Sequence, residues 1–188
     1  MTTFAACVAL PLVSIVPDQA QSSGIFMVPV EGEGASYWPR WRGPSGQGVV
    51  TGSAYPDAWS NIRNVAWRTQ VPGRGHSSPI VWDDHIFVTT AEEAGRRISI
   101  LSYHRSDGRL LWQTAVPEGP TERIHQKNSQ ASATPTTDGE RVYSSFGSRG
   151  LVAVDFDGHL VWHTEVGPID NYHGTAGSPL LYNDLLIT

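Results

Sequence analysis

The chain has 188 residues, a formal charge of −5 and one cysteine, Cys7, with 16% charged and 39% apolar residues. That balance excludes a chain disordered throughout, and its acidity argues against nucleic acid, which rewards clustered positive charge. A single cysteine excludes an intramolecular disulfide and a thiolate zinc site, and no stretch reaches the roughly 18 apolar residues of a membrane span.

Residues 1–22 read as a signal peptide. The apolar run Phe4 to Val16 has the size of an export h-region, and Ala20-Gln21-Ser22 offers a small-x-small cleavage site. No Lys or Arg precedes Arg40, so the usual positive n-region is missing. An extracytoplasmic, periplasmic or secreted protein is expected, and a mature chain cut there would have no cysteine. Residues 23–63 form an N-terminal extension. In it Trp38, Trp41 and Trp59 are expected to pack against the units that follow, in preference to forming a stacking platform for a ligand.

From Asn64 onward the chain repeats itself, and repeats decide a fold before single elements do. Trp67-Arg68-Thr69-Gln70-Val71-Pro72, Trp112-Gln113-Thr114-Ala115-Val116-Pro117 and Trp162-His163-Thr164-Glu165-Val166-Gly167 align, with their tryptophans 45 and 50 residues apart. Asp107-Gly108 and Asp157-Gly158 stand ahead of the second and third. Each motif is followed by a Ser/Thr-Pro that opens an apolar run: Ser78-Pro79, Thr134-Pro135 and Ser178-Pro179. Proline suits the start of a strand, where its missing N–H costs least. Four short strands per unit of this length indicate an all-β protein, a β-propeller of four-stranded antiparallel blades.

In chain order, residues 64–71 are predicted to be a fourth strand that closes the propeller. Residues 77–116 and 133–166 form two complete blades, and residues 178–188 begin another. Gly108 and Gly158 are expected in two-residue hairpin turns, with Trp67, Trp112 and Trp162 packing against neighbouring blades. A closed toroid of seven or eight blades is expected in the full protein, with this chain its N-terminal part.

Three loops precede the inner strands and should meet at one mouth of the central channel. They deliver Arg74, His76, Lys127, Asn128, Tyr172 and His173 to a rim where propellers often bind ligands or partners; Lys127 is the only lysine. The alternative is that these residues only satisfy backbone groups at a crowded corner. The long connection from Pro117 to Ala131 favours a role for Lys127 and Asn128. His159 and His163 are too far apart on a strand to share a metal and are expected to be solvated, like His85 and His104 beside turns. Asp155-Phe156-Asp157-Gly158 reads as a turn, since an EF-hand loop would need a glutamate where Val166 stands. No metal site is assigned.

The segments Ser102 to Trp112 and Ala153 to Trp162, with Trp38-Pro39-Arg40-Trp41-Arg42-Gly43-Pro44, resemble the pyrroloquinoline-quinone-like (PQQ-like) β-propeller repeat proteins of the secreted bacterial branch. The first segment keeps the repeat's spacing and the second is one residue short. The resemblance implies one of two activities. The superfamily holds quinone-dependent alcohol dehydrogenases and non-catalytic scaffolds, such as a lipoprotein that assists outer-membrane barrel assembly. Absence of adjacent cysteines and of a calcium carboxylate cage favours a non-catalytic binding or scaffold module of the bacterial cell envelope. Its expected partner is a protein or glycan, with no cofactor and no membrane span. The alternative is a PQQ-dependent alcohol or sugar oxidoreductase, with PQQ and Ca²⁺, whose catalytic residues lie beyond Thr188.

Overall fold

The computed structural model describes residues 32–50, 52–53 and 55–188. The signal-peptide reading of residues 1–22 lies outside them. Among the described residues ten strands form three antiparallel sheets. The first blade is β1 (Ile80–Trp82), β2 (His85–Glu92), β3 (Arg97–His104) and β4 (Leu110–Ala115), hydrogen-bonded in that order. The second is β5 (Thr136–Thr137), β6 (Arg141–Ser145), β7 (Leu151–Asp155) and β8 (Leu160–Thr164). A third sheet pairs β9 (Leu180–Tyr182) with β10 (Leu185–Ile187). The only helical turns among the described residues are three short 3₁₀ segments.

The core lies between the first two blades. Ile80, Phe87, Ile98 and Ile100 of the first meet Val142, Val152 and Val154 of the second, all at 0–1% exposure. Val, Ile and Phe dominate because branched and aromatic side chains fill the pleated faces that two stacked sheets present.

Each Asp-Gly turn is a seat for the preceding tryptophan. The loops are longer than the expected two-residue hairpins, running through residues 105–109 and 156–159. The reason is a bulge: pairing skips Leu111 in the first blade and Val161 in the second, so each fourth strand has one residue too many for a tight turn. Gly108 and Gly158 have φ of 71° and 88°. A Cβ at Gly108 would fall 2.3 Å from the Trp67 ring, and one at Gly158 would fall 2.7 Å from that of Trp112. Only glycine allows both the backbone angle and the ring's approach. The Trp67 indole N–H donates to Arg105 O (2.8 Å) and that of Trp112 to Phe156 O (2.7 Å). Thr114 Oγ1 donates to Gly158 O (2.5 Å), which gives the threonine of Trp-x-Thr its purpose in this blade. Trp162 instead stands 6.0 Å from Tyr143 and lines a groove of about 830 Å³ with Leu181, Tyr182 and Leu186.

Residues 64–71, the expected closing strand, form no ladder with any strand among the described residues. An outermost strand is held by the third strand of its own blade, and none for it lies among the described residues. The tryptophan seat anchors the segment, and just beyond it Pro72 O accepts from Thr90 Oγ1 and Arg74 exchanges two backbone hydrogen bonds with Ala91 of β2.

Serine or threonine before each proline joins successive inner strands. Ser78 N–H donates to Thr134 Oγ1 (2.9 Å), and Thr134 N–H donates to Ser178 Oγ (3.0 Å). The extension packs on the first blade as expected, through the backbone at Trp38 and the Tyr37 ring, 5.1 Å from that of Trp82, while the Trp38 ring itself covers Gly43. Trp38 exchanges two backbone hydrogen bonds with Val81 on the free edge of β1, and Pro39 O accepts from Thr137 N–H (2.9 Å). Trp41 and Trp59 are 49% and 71% exposed, because the irregular chain around them reaches no strand edge.

His85 departs from the surface role expected of it. It is half-buried, stacked 5.4 Å from Phe87, with Nδ1 2.9 Å from Ser102 Oγ. Burial pushes its imidazole pKa down, aided by His104 and opposed by Asp83, Asp84 and Asp157. Between the lowered folded value and the ordinary value near 6.5, the unfolded chain binds more protons, so stability falls as pH drops through that window. Urea midpoints at pH 7.5 and pH 5.5 should therefore differ, and His85→Gln should narrow the gap. An equal acid loss in the variant would reject the assignment.

Candidate functional site

Antiparallel topology sorts the connections onto two faces. The β1–β2, β3–β4, β5–β6 and β7–β8 turns lie on one, and the β2–β3 and β6–β7 turns lie on the other with the inter-blade linkers. All six rim candidates belong to this linker face. Four of them join loops to one another. Arg74 donates to Gln126 O (2.6 Å), and Asn128 Nδ2 donates to His173 O (2.7 Å). Ser132 Oγ donates to Asn128 Oδ1 (2.5 Å) and lies 3.3 Å from His76 Nδ1. Ser129 Oγ donates to Arg74 O (2.8 Å), and His76 N–H to Ala131 O (2.9 Å). The three segments form one braced surface.

The remaining candidates face outward. Lys127 and Tyr172 are exposed, and the Arg123 guanidinium lies 5.5 Å from the Tyr172 ring centre. Tyr172 meets His173 edge-on at 4.9 Å, and His173 lies 5.7 Å from His125. Side chains of the first linker and aromatic rings of the second thus share one patch.

Two residues that hold this surface escaped the sequence reading. Glu122 Oε1 accepts from Ser148 N–H (2.5 Å), Ser148 Oγ (3.0 Å) and Thr175 Oγ1 (3.0 Å), and Oε2 accepts from Thr175 N–H (2.9 Å). It pins the first linker to the β6–β7 turn and to the second linker. Arg149 is 3% exposed, and its guanidinium donates to Arg96 O (2.7 Å), Gly119 O (3.3 Å) and Gly95 O (3.5 Å). Burial pushes its pKa down, with Glu118 pulling the other way. Its Nε has no partner among the described residues. Neither position recurs in the repeat, which hid both.

On the opposite face Asp155, Asp157 and His159 cluster closely enough to suggest a metal. The contacts explain the group as a turn. Asp155 accepts from His159 N–H (2.8 Å) and its Oδ2 lies 3.1 Å from His159 Nδ1. Burial raises the Asp155 pKa, but the His159 donors outweigh it and hold the carboxyl below its ordinary value. Nor is His163 solvated as expected, since its Nε2 lies 2.7 Å from Arg149 O. No helix among the described residues is long and apolar enough to cross a membrane.

Four-stranded antiparallel blades, with tryptophans seated on glycine turns, define this chain as a PQQ-like β-propeller protein. Residues 58–187 match the family described as outer membrane protein assembly factor BamB, and the chain belongs to that family. It is similar to the crystal structure of BamB from Moraxella catarrhalis at 20% sequence identity, with a TM-score of 0.47. The match covers 66% of this chain and 37% of that one, so this chain spans little more than a third of that relative. No curated protein matches the sequence.

Proposed function

We propose that this chain supplies blades of a non-catalytic scaffold in the bacterial cell envelope, serving outer-membrane protein assembly by holding a protein partner on its linker face. The bracing of three separate loops into one surface carries this reading. Glu122, Arg149 and Asn128 tie loops from two blades and the following linker, while Lys127 and Tyr172 remain outward. A surface fixed before a partner arrives loses less entropy on binding. The family's description as an assembly factor supports the process, and the apolar run from Phe4 to Val16 supports an extracytoplasmic site. The reading assigns these residues no quinone and no metal.

Deleting the gene in its host should lower the abundance of outer-membrane barrel proteins, quantified by mass spectrometry of the membrane fraction. Restoring the gene should recover it, whereas the His76→Ala, His173→Ala double variant should recover less. Unchanged barrel abundance on deletion would overturn the reading.

A further inference from the structure

We infer that the linker face docks an acidic segment of a protein, through Arg123 and Lys127 beside Tyr172; this rests on the scaffold reading above. Three observations converge on it. The first is unpaired positive charge. Arg74, Arg123 and Lys127 are exposed, and none is within ion-pair distance of a carboxylate among the described residues. The carboxylates of this face are engaged elsewhere or few: Glu93 and Glu92 pair with Arg96 and Arg97, Glu118 acts on Arg149, and Glu122 is turned to four donors, which leaves Asp170 in the segments 73–77, 122–130 and 169–175.

The second is geometry. Stacking over Tyr172 limits the rotamers of Arg123 while leaving the guanidinium edge open, and that edge matches a carboxylate with two parallel N–H donors. Four residues along, Lys127 supplies a second charge. His125 Nδ1 accepts from its backbone N–H (3.2 Å), fixing the loop beneath.

The third is the charge of the rest of the molecule. The chain carries −5, and Asp83, Asp84, Asp107, Asp138, Asp157 and Asp184 sit in turns of the opposite face, where Arg105 and Arg109 pair with Asp84 and Asp107 and leave the other carboxylates in excess. Turn geometry demands many of them: Asp138 Oδ1, for example, accepts from the N–H groups of Glu140 and Arg141. An acidic partner is therefore repelled from that face and steered to this one.

The test is fluorescence anisotropy of the full chain with a labelled deca-glutamate peptide at 25 mM and 300 mM NaCl. Binding is expected at low salt, with loss at high salt as screening shortens the range of the field. Arg123→Glu with Lys127→Glu should weaken binding by about tenfold or more. Arg105→Glu with Arg109→Glu removes the same charge from the opposite face and should change it little. Circular dichroism checks that both double variants fold. Equal weakening by the two pairs, or no binding at low salt, would overturn the inference. So would anionic phosphatidylglycerol vesicles binding through Arg123 and Lys127 while the peptide does not. If the peptide fails yet gene deletion still lowers barrel abundance, the acidic segment falls and the scaffold reading stands.

Discussion

Replacing Trp112 with alanine should destabilise the protein by about 3–5 kcal/mol, as loss of a large, well-packed ring does. The indole covers Gly158 of the next blade, donates to Phe156 O and lies 5.8 Å from Phe87. Truncation removes contacts from two blades together and leaves the half-buried Phe156 carbonyl without its donor. Trp112→Phe keeps much of the ring but not the N–H, and should cost about 1–2 kcal/mol. Urea unfolding followed by circular dichroism reads both. A loss below about 1 kcal/mol for alanine would contradict the seat.

Glu122→Ala should cost about 3 kcal/mol, because four donors lose their acceptor and two of them are backbone N–H groups. Glu122→Gln is a sharper probe. An amide presents one oxygen and one NH₂, so a donor must face donors on one side. Amide exchange at Ser148 and Thr175 should quicken in both variants, while amides of β2 and β3 should change only with global stability. Unaltered exchange at Ser148 and Thr175 would refute the brace.

The blades were legible in the sequence because their determinants recur. Trp67 and Trp112 flagged the seats, and Gly108 and Gly158 the turns, with Asp155 closing its strand ahead of the Asp157-Gly158 turn. What escaped was whatever occurs once. Glu122 and Arg149 join segments 26 to 54 residues apart and leave no periodic trace. The Ser/Thr-Pro pairs were visible, but the hydroxyls of Thr134 and Ser178 accept from an N–H one blade earlier, which only the stacking of blades discloses. The rim candidates illustrate the same limit. Their convergence followed from topology, yet that Asn128 and Arg74 brace while Lys127 and Tyr172 face outward depended on side-chain reach. Residues 64–71 show the same limit, since a motif specifies a tryptophan's seat without supplying a ladder partner.

The joins between blades also have a direction. Trp67 rests on a turn made later in the chain, Trp112 on one later still, and Ser78 and Thr134 donate forward in the same sense. A blade emerging from the ribosome is therefore unfinished until its successor has formed. At each moment of synthesis the newest blade exposes an indole and an uncapped inner strand. Folding then advances as a zipper whose leading tooth is always open, and a pause after any blade prolongs the life of a species prone to mispair.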